Sequence, residues 1–135
     1  MTLVNGHPAI ALQNNLLELA YVRANDVDGA TWGPIQSLDS SSPNGTGSNA
    51  SLAIINGSPA IGYRNAEGIG TQKFIRATDI NGTAWAAPVN VDAAGTSLTG
   101  GEGDLAEVNG RPAMTYQRDN FLYYVRANDA NGTSC

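Results

Sequence analysis

One unit recurs three times along this chain, with equivalent positions 50 to 53 residues apart. Its first block reads Val4-Asn5-Gly6-His7-Pro8-Ala9-Ile10, then Ile55-Asn56-Gly57-Ser58-Pro59-Ala60-Ile61, then Val108-Asn109-Gly110-Arg111-Pro112-Ala113-Met114. A second block follows each: Tyr21-Val22-Arg23-Ala24-Asn25-Asp26, Phe74-Ile75-Arg76-Ala77-Thr78-Asp79 and Tyr124-Val125-Arg126-Ala127-Asn128-Asp129. The third block is Gly29-Ala30-Thr31-Trp32, Gly82-Thr83-Ala84-Trp85 and Gly132-Thr133-Ser134-Cys135. A unit of this length buries its apolar surface against its neighbours, so the chain folds as a stack of like units.

Within a unit the pattern predicts four short strands. In the second unit they fall at 52–55, 59–63, 73–77 and 85–91. Asn-Gly joins the first pair, because both turn positions of a tight hairpin need positive φ. The loop between the second and third strands varies in length, as a surface loop tolerates. Linkers rich in Gly, Ser, Thr and Asn, at 40–50 and 93–103, cross to the next unit. The second strand carries Ile10 or Ile61 on one face and Ala or Gly on the other, with neither face polar. A half-solvated strand alternates apolar with polar; a strand bulky on one face and small on the other fits a sheet sandwiched between two others. The reading is all-β, with β-propeller blades of four antiparallel strands. Blade 1 spans about 1–39, blade 2 about 51–92 and blade 3 about 104–135, in one repeat domain covering 1–135.

Composition supports that class and narrows the partners. Apolar residues make up 41% and charged residues 14%, with 16 glycines placed where turns are expected. Net charge is −5, the seven basic residues are dispersed, and Lys73 is the only lysine. No basic stripe marks a nucleic-acid surface, an anionic membrane surface is an equally poor partner, and no apolar run approaches the ~18 residues that span a bilayer. The lone cysteine, Cys135, excludes a disulfide within the chain. The start shows no basic-then-apolar leader. That fits a cytoplasmic protein or a piece of a longer secreted one, and a secreted or cell-surface parent is the expectation.

The turn between the third and fourth strands resembles a known motif. Residues 23–32, Arg-Ala-Asn-Asp-Val-Asp-Gly-Ala-Thr-Trp, and 76–85, Arg-Ala-Thr-Asp-Ile-Asn-Gly-Thr-Ala-Trp, are similar to the Asp-box of bacterial neuraminidase (BNR) repeats. That family places Ser/Thr-x-Asp-x-Gly-x-Thr-Trp on the hairpin joining the third and fourth strands of a blade. Pro88 agrees with its usual Trp-x-x-Pro start of the outer strand, and Pro34 stands one residue nearer its Trp. The turn is one residue longer, since Asp26 and Asp79 stand three residues before Gly29 and Gly82. The resemblance implies a sialidase-like propeller. It makes Asp26, Gly29, Trp32, Asp79, Gly82, Trp85, Asp129 and Gly132 structural turn residues, the carboxylate accepting turn N–H groups and the indole packing between strands. It does not imply sialidase activity.

No catalytic set emerges. Arg23, Arg76 and Arg126 invite comparison with an arginine triad gripping a substrate carboxylate. They occupy one repeated position beside the turn aspartates, and structural ion pairs, one per blade, are the simpler expectation. A calcium loop in this register would begin at Ala24, Ala77 or Ala127 and would lack its terminal acid, so no metal or other cofactor is expected. His7 is matched by Ser58 and Arg111 and is expected as an exposed turn residue. Glu18, Glu67, Glu102 and Glu107 stand at non-equivalent places. The sequons Asn81-Gly82-Thr83 and Asn131-Gly132-Thr133 coincide with turns that explain them.

Both ends cut through a blade, the third unit stopping where the others have Trp. That makes about 2.7 blades, against ~4–8 in a closed ring, so bare blade faces are expected to meet another copy or the rest of a longer propeller chain. Three functions remain open: a non-catalytic, self-associating interaction module binding carbohydrate or protein, a fragment of a sialidase-like glycoside hydrolase, or a structural propeller fragment without a ligand.

Overall fold

The computed structural model describes residues 1–68, 70–92 and 102–134. Every regular element among them is a strand, arranged in three antiparallel sheets. The first sheet is β1 (Thr2–Val4), β2 (His7–Gln13), β3 (Leu19–Arg23) and β4 (Gln36–Asp39), paired in chain order. The second is β5 (Thr46–Ile55), β6 (Ser58–Asn65), β7 (Thr71–Arg76) and β8 (Val89–Asp92), again in chain order. The third holds β9 (Asp104–Val108), β10 (Arg111–Arg118) and β11 (Phe121–Arg126). The three Asn-Gly hairpins have positive φ at both positions, 45° and 76° at Asn5 and Gly6, 46° and 76° at Asn56 and Gly57, 50° and 69° at Asn109 and Gly110. These are the type I′ turns whose twist matches that of the flanking strands.

The middle sheet is covered on both faces. One core joins Val4, Ala9, Leu19 and Tyr21 of the first sheet to Ile61, Tyr63 and Ile75 of the second. Another joins Ile55, Ala60 and Phe74 of the second to Leu105 and Met114 of the third. Seven of the eight residues of β6 are accordingly buried, against one of seven in β2. The bulky-and-small alternation explains the fit. Ile61 points to the first sheet, and Gly62, on the opposite face, leaves room for the third. A Cβ built on Gly62 would come 2.3 Å from the Met114 Cε atom, so the small residue receives the large one.

Two expectations are corrected. The fifth strand was expected over 52–55, with 40–50 as a linker, but β5 begins at Thr46 and runs ten residues. Its register shifts between Thr46 and Ser48 and again between Ser48 and Ser51. Positive φ at Gly45, Gly47 and Asn49 accompanies those bulges. Polar side chains hide the strand from a pattern search, and specific bonds hold it. The Thr46 hydroxyl donates to the Asp39 carbonyl and accepts from the Leu19 N–H at 3.0 Å, while Gln13 Nε2 donates to the Thr46 carbonyl at 2.8 Å. A Cβ on Gly47 would lie 2.6 Å from Leu19 Cα, so the crossing chain lies directly on the first sheet. The outer strand, expected over 85–91, is β8 at Val89–Asp92, with Trp85 held separately in a single bridge to Ala77. Most of the second linker, 93–101, and Cys135 lie outside the described residues.

Candidate functional site

The repeated turns are organised by their first carboxylate. Asp79 accepts from the N–H groups of Asn81, Thr83 and Ala84 at 2.8–2.9 Å and from the Thr83 hydroxyl at 2.9 Å. Asp129 does the same with Asn131, Thr133 and Ser134. Asp26 accepts from the N–H groups of Ala30 and Thr31 and from the Thr31 hydroxyl. Donors converging on the ionised form favour it. The Thr31 hydroxyl and the Ala30 and Thr31 amides hold the Asp26 carboxyl down to about 2. The partial burial of Asp79 would raise its pKa, but the amides of Ala84 and Asn81 and the bonds from Thr83 outweigh it and hold the group low. Gly29, Gly82 and Gly132 take φ of 70–74° to close these turns.

The guanidinium groups of Arg23 and Arg76 reach backbone carbonyls. The Arg23 guanidinium donates to the carbonyls of Val4 and Asn5 at 2.9 and 3.1 Å. Arg76 donates to those of Ile55 and Asn56 at 3.0 and 3.1 Å. Each therefore clamps the Asn-Gly hairpin of its own sheet, because the planar fork spans two adjacent carbonyls while the turn carboxylates are already saturated by N–H donors. Arg126 is exposed at the end of β11. His7 is half-buried, its Nδ1 3.0 Å from the Ala24 carbonyl, rather than an exposed turn residue.

At the boundary between the first and second sheets, Tyr21 reaches the second sheet's turn. Its hydroxyl donates to the Asn81 carbonyl at 3.1 Å, and its ring meets Trp85 edge-on, centroids 5.0 Å apart. A Cβ on Gly82 would lie 2.8 Å from that ring. Asn5 donates to Asn81 Oδ1 at 2.9 Å. At the next boundary Phe74 takes the place of Tyr21, and a Cβ on Gly132 would lie 2.5 Å from it. Arg76 donates to Asn131 Oδ1 at 3.3 Å, and Asn56 donates to the Ala130 carbonyl at 2.6 Å.

A second device, which the sequence reading missed, also repeats. The Tyr63 hydroxyl donates to Asp39 Oδ2 at 2.6 Å, and the Tyr116 hydroxyl to Asp92 Oδ2 at 2.7 Å. Asp39 and Asp92 are 53 residues apart, as are Tyr63 and Tyr116, so this pairing was visible as a repeat. A cation completes each latch from a different position: Lys73 at 3.0 Å from Asp39, Arg118 at 2.8 Å from Asp92. Burial would raise the Asp39 carboxyl, but bonds from Ser41, Tyr63 and Lys73 prevail and hold it low. Burial and the Asp39 carboxylate push the Tyr63 phenol far up.

At the same end as the latches, and opposite the Asn-Gly hairpins, the hairpin between β2 and β3 is tied by its own hydrogen bonds. Asn14 Oδ1 accepts from the Leu16 and Glu18 amides, each at 2.9 Å, and the Asn14 carbonyl accepts from Leu17 N–H at 3.0 Å. Leu17 is held at φ 63°, a conformation bulky residues avoid. Leu16 and Leu17 are 71% and 47% exposed at the tip.

Among the described residues no group of three His, Cys, Asp or Glu side chains is placed to hold a metal ion, and no helix is long and apolar enough to cross a membrane. Compared with known families and curated proteins, the chain matches no family model and no curated protein.

Proposed function

We propose that the three sheets are β-propeller blades of the Asp-box kind and that the chain is a non-catalytic interaction module that associates with itself and binds glycan or protein through its loops. One observation carries the reading: both boundaries between sheets repeat the same contacts, an aromatic of β3 or β7 on the glycine of the next turn and a tyrosine of β6 or β10 on the aspartate ending the previous sheet. Units related by one repeated operation stack about an axis, as blades do.

The perturbed carboxylates serve the turns and latches rather than acid catalysis. A general acid needs a raised pKa and a free proton position. Asp26, Asp39, Asp79 and Asp129 are all pushed the other way, by donors that fill their lone pairs. The binding surface is the end that carries the Asn14–Glu18 loop, where strained, hydrogen-bonded backbone presents exposed side chains.

A glycan array read beside a panel of fluorogenic glycosides tests this. Retention of a glycan by the wild type, weakened in Asn14→Ala, which unties the loop, is the expected result. Turnover of any glycoside at a rate proportional to enzyme would overturn the non-catalytic reading.

A further inference from the structure

We infer that the two bare outer sheet faces are the two halves of one further blade boundary, so that two copies of this chain close head to tail into a six-sheet ring. This inference rests on the propeller reading above. It goes beyond it by assigning the register of the contact.

At both internal boundaries, a sheet leans its Asn-Gly hairpin and third strand on the turn of the sheet that follows. The residues used are Asn5 and Tyr21 on Asn81 and Gly82, then Asn56, Phe74 and Arg76 on Ala130, Asn131 and Gly132. The third sheet carries the same donor side, Tyr124 and Arg126. The first sheet carries the same acceptor side, Asp28, Gly29 and Trp32. Both sides are bare. Tyr124 is 61% exposed and Trp32 39%, and Arg126 and Asp28 are both exposed. The atoms nearest a Cβ on Gly29 belong to Pro8 and Trp32 of its own sheet, where Gly82 and Gly132 have an aromatic ring of the preceding sheet.

Chemistry at the matching positions is complementary. Arg76 meets Asn131 inside the chain, and Arg126 in the same register meets Asp28, a carboxylate in place of the amide. Tyr21 meets Trp85, and Tyr124 meets Trp32. Gly62 receives Met114, and Thr115 receives Ile10, which is half-buried on the face of β2 opposite Ala9 and Ala11. The Tyr–Asp latch is not required there, since Leu12 stands where Tyr63 and Tyr116 stand. A head-to-tail contact of this kind closes into a ring or grows into a filament. Two copies give six sheets, within the ~4–8 of closed propellers, and three copies exceed it.

Light scattering across a concentration series reads the mass, with the full chain and three variants: Arg126→Asp, Asp28→Arg and the two combined. The expected mass is twice the 14.0 kDa of one chain. Each single reversal places like charges at both junctions of the ring and raises the dimer dissociation constant by roughly tenfold or more, and the combined variant restores it. In a Trp85→Phe background the Trp32 emission moves to the blue as concentration rises through the dimer range. A doubled mass with silent charge variants and unmoved Trp32 emission would overturn the register while leaving self-association standing. Open-ended polymers would overturn ring closure. A monomer with a cooperative melt at every concentration would overturn self-association and the register together.

Discussion

The boundary between the first and second sheets and the boundary between the second and third share one plan and differ in how well they are filled. At the first, Tyr21, Ile61 and Tyr63 are fully buried, and Trp85 closes over Tyr21. At the second, Phe74, Met114 and Tyr116 retain a little exposure, and a half-open apolar pocket lies among Phe74, Val91, Met114, Val125 and Gly132. No indole of the third sheet stands beside Phe74 among the described residues. The polar latches follow the same order: side chains of Lys73 and Asp39 are 12% and 3% exposed, those of Arg118 and Asp92 21% and 9%. A repeat therefore specifies how sheets meet, and the residues that vary within it set how strongly.

The largest test of that difference is truncation in the two cores. Deleting a buried aliphatic side chain costs about 2–5 kcal/mol, more where the surroundings cannot collapse. Ile61→Ala is expected near the top of that range and Met114→Ala near the bottom, because Met114 already borders open space and Ile61 does not. Urea unfolding of the two variants checks it. Equal losses would show that the boundaries are equally tight.

Removing the latch hydroxyls gives a smaller, sharper comparison. Tyr63→Phe leaves Asp39 buried with Lys73 and the Ser41 amide still bound, and is expected to cost about 1–2 kcal/mol. Tyr116→Phe leaves Asp92 beside Arg118 in a wetter site, and about 0.5–1 kcal/mol is expected. Thermal melts of both variants decide the order. A larger loss for Tyr116→Phe would contradict the ranking of the two boundaries.

How much of this was readable from sequence depends on whether a residue's role repeats with its chemistry. Three blocks recur with apolar and turn residues in place, so the hairpins, the three sheets and the turn carboxylates follow from pattern alone. β5 was read too short because residues 46–51 are polar or small and are held by hydrogen bonds to the first sheet, which leave no hydrophobic period. The carbonyl bonds of Arg23 and Arg76 are not legible in sequence, because a guanidinium near a carboxylate reads as an ion pair, while in space the hairpin carbonyls accept its N–H groups. The Tyr–Asp latch was missed for a different reason. Its members lie in different units, and only two of three units carry each, so comparison of adjacent blocks does not bring them together.

The smallest effect separates the turn of the first sheet from that of the second, and acid exposes it. The Asp26 carboxyl sits at about 2, held there first by the Thr31 hydroxyl and then by the Ala30 and Thr31 amides, while an unfolded aspartate titrates near about 3.9. A group whose pKa is lowered by folding stabilises the native state fully above the unfolded value and loses that contribution as pH falls through the folded one. The melting temperature is therefore expected to hold level above about pH 5 and to drop between about pH 4 and 2. Asp26→Asn and Asp79→Asn keep the turn shape and remove the charge, so each variant melts lower at neutral pH and falls less steeply in that acid window. The two differ in what else depends on the turn. The Asp79 turn supports Asn81 and Gly82, on which Asn5, Tyr21 and Gln36 of the first sheet rest. Among the described residues, no neighbouring sheet of the same chain rests on the Asp26 turn. Asp79→Asn is then expected to lower the melting temperature more than Asp26→Asn. Under the ring proposed above, raising the concentration should narrow the gap, as a second copy would come to rest on the first sheet's turn. A gap that stays constant with concentration would mean that nothing docks there.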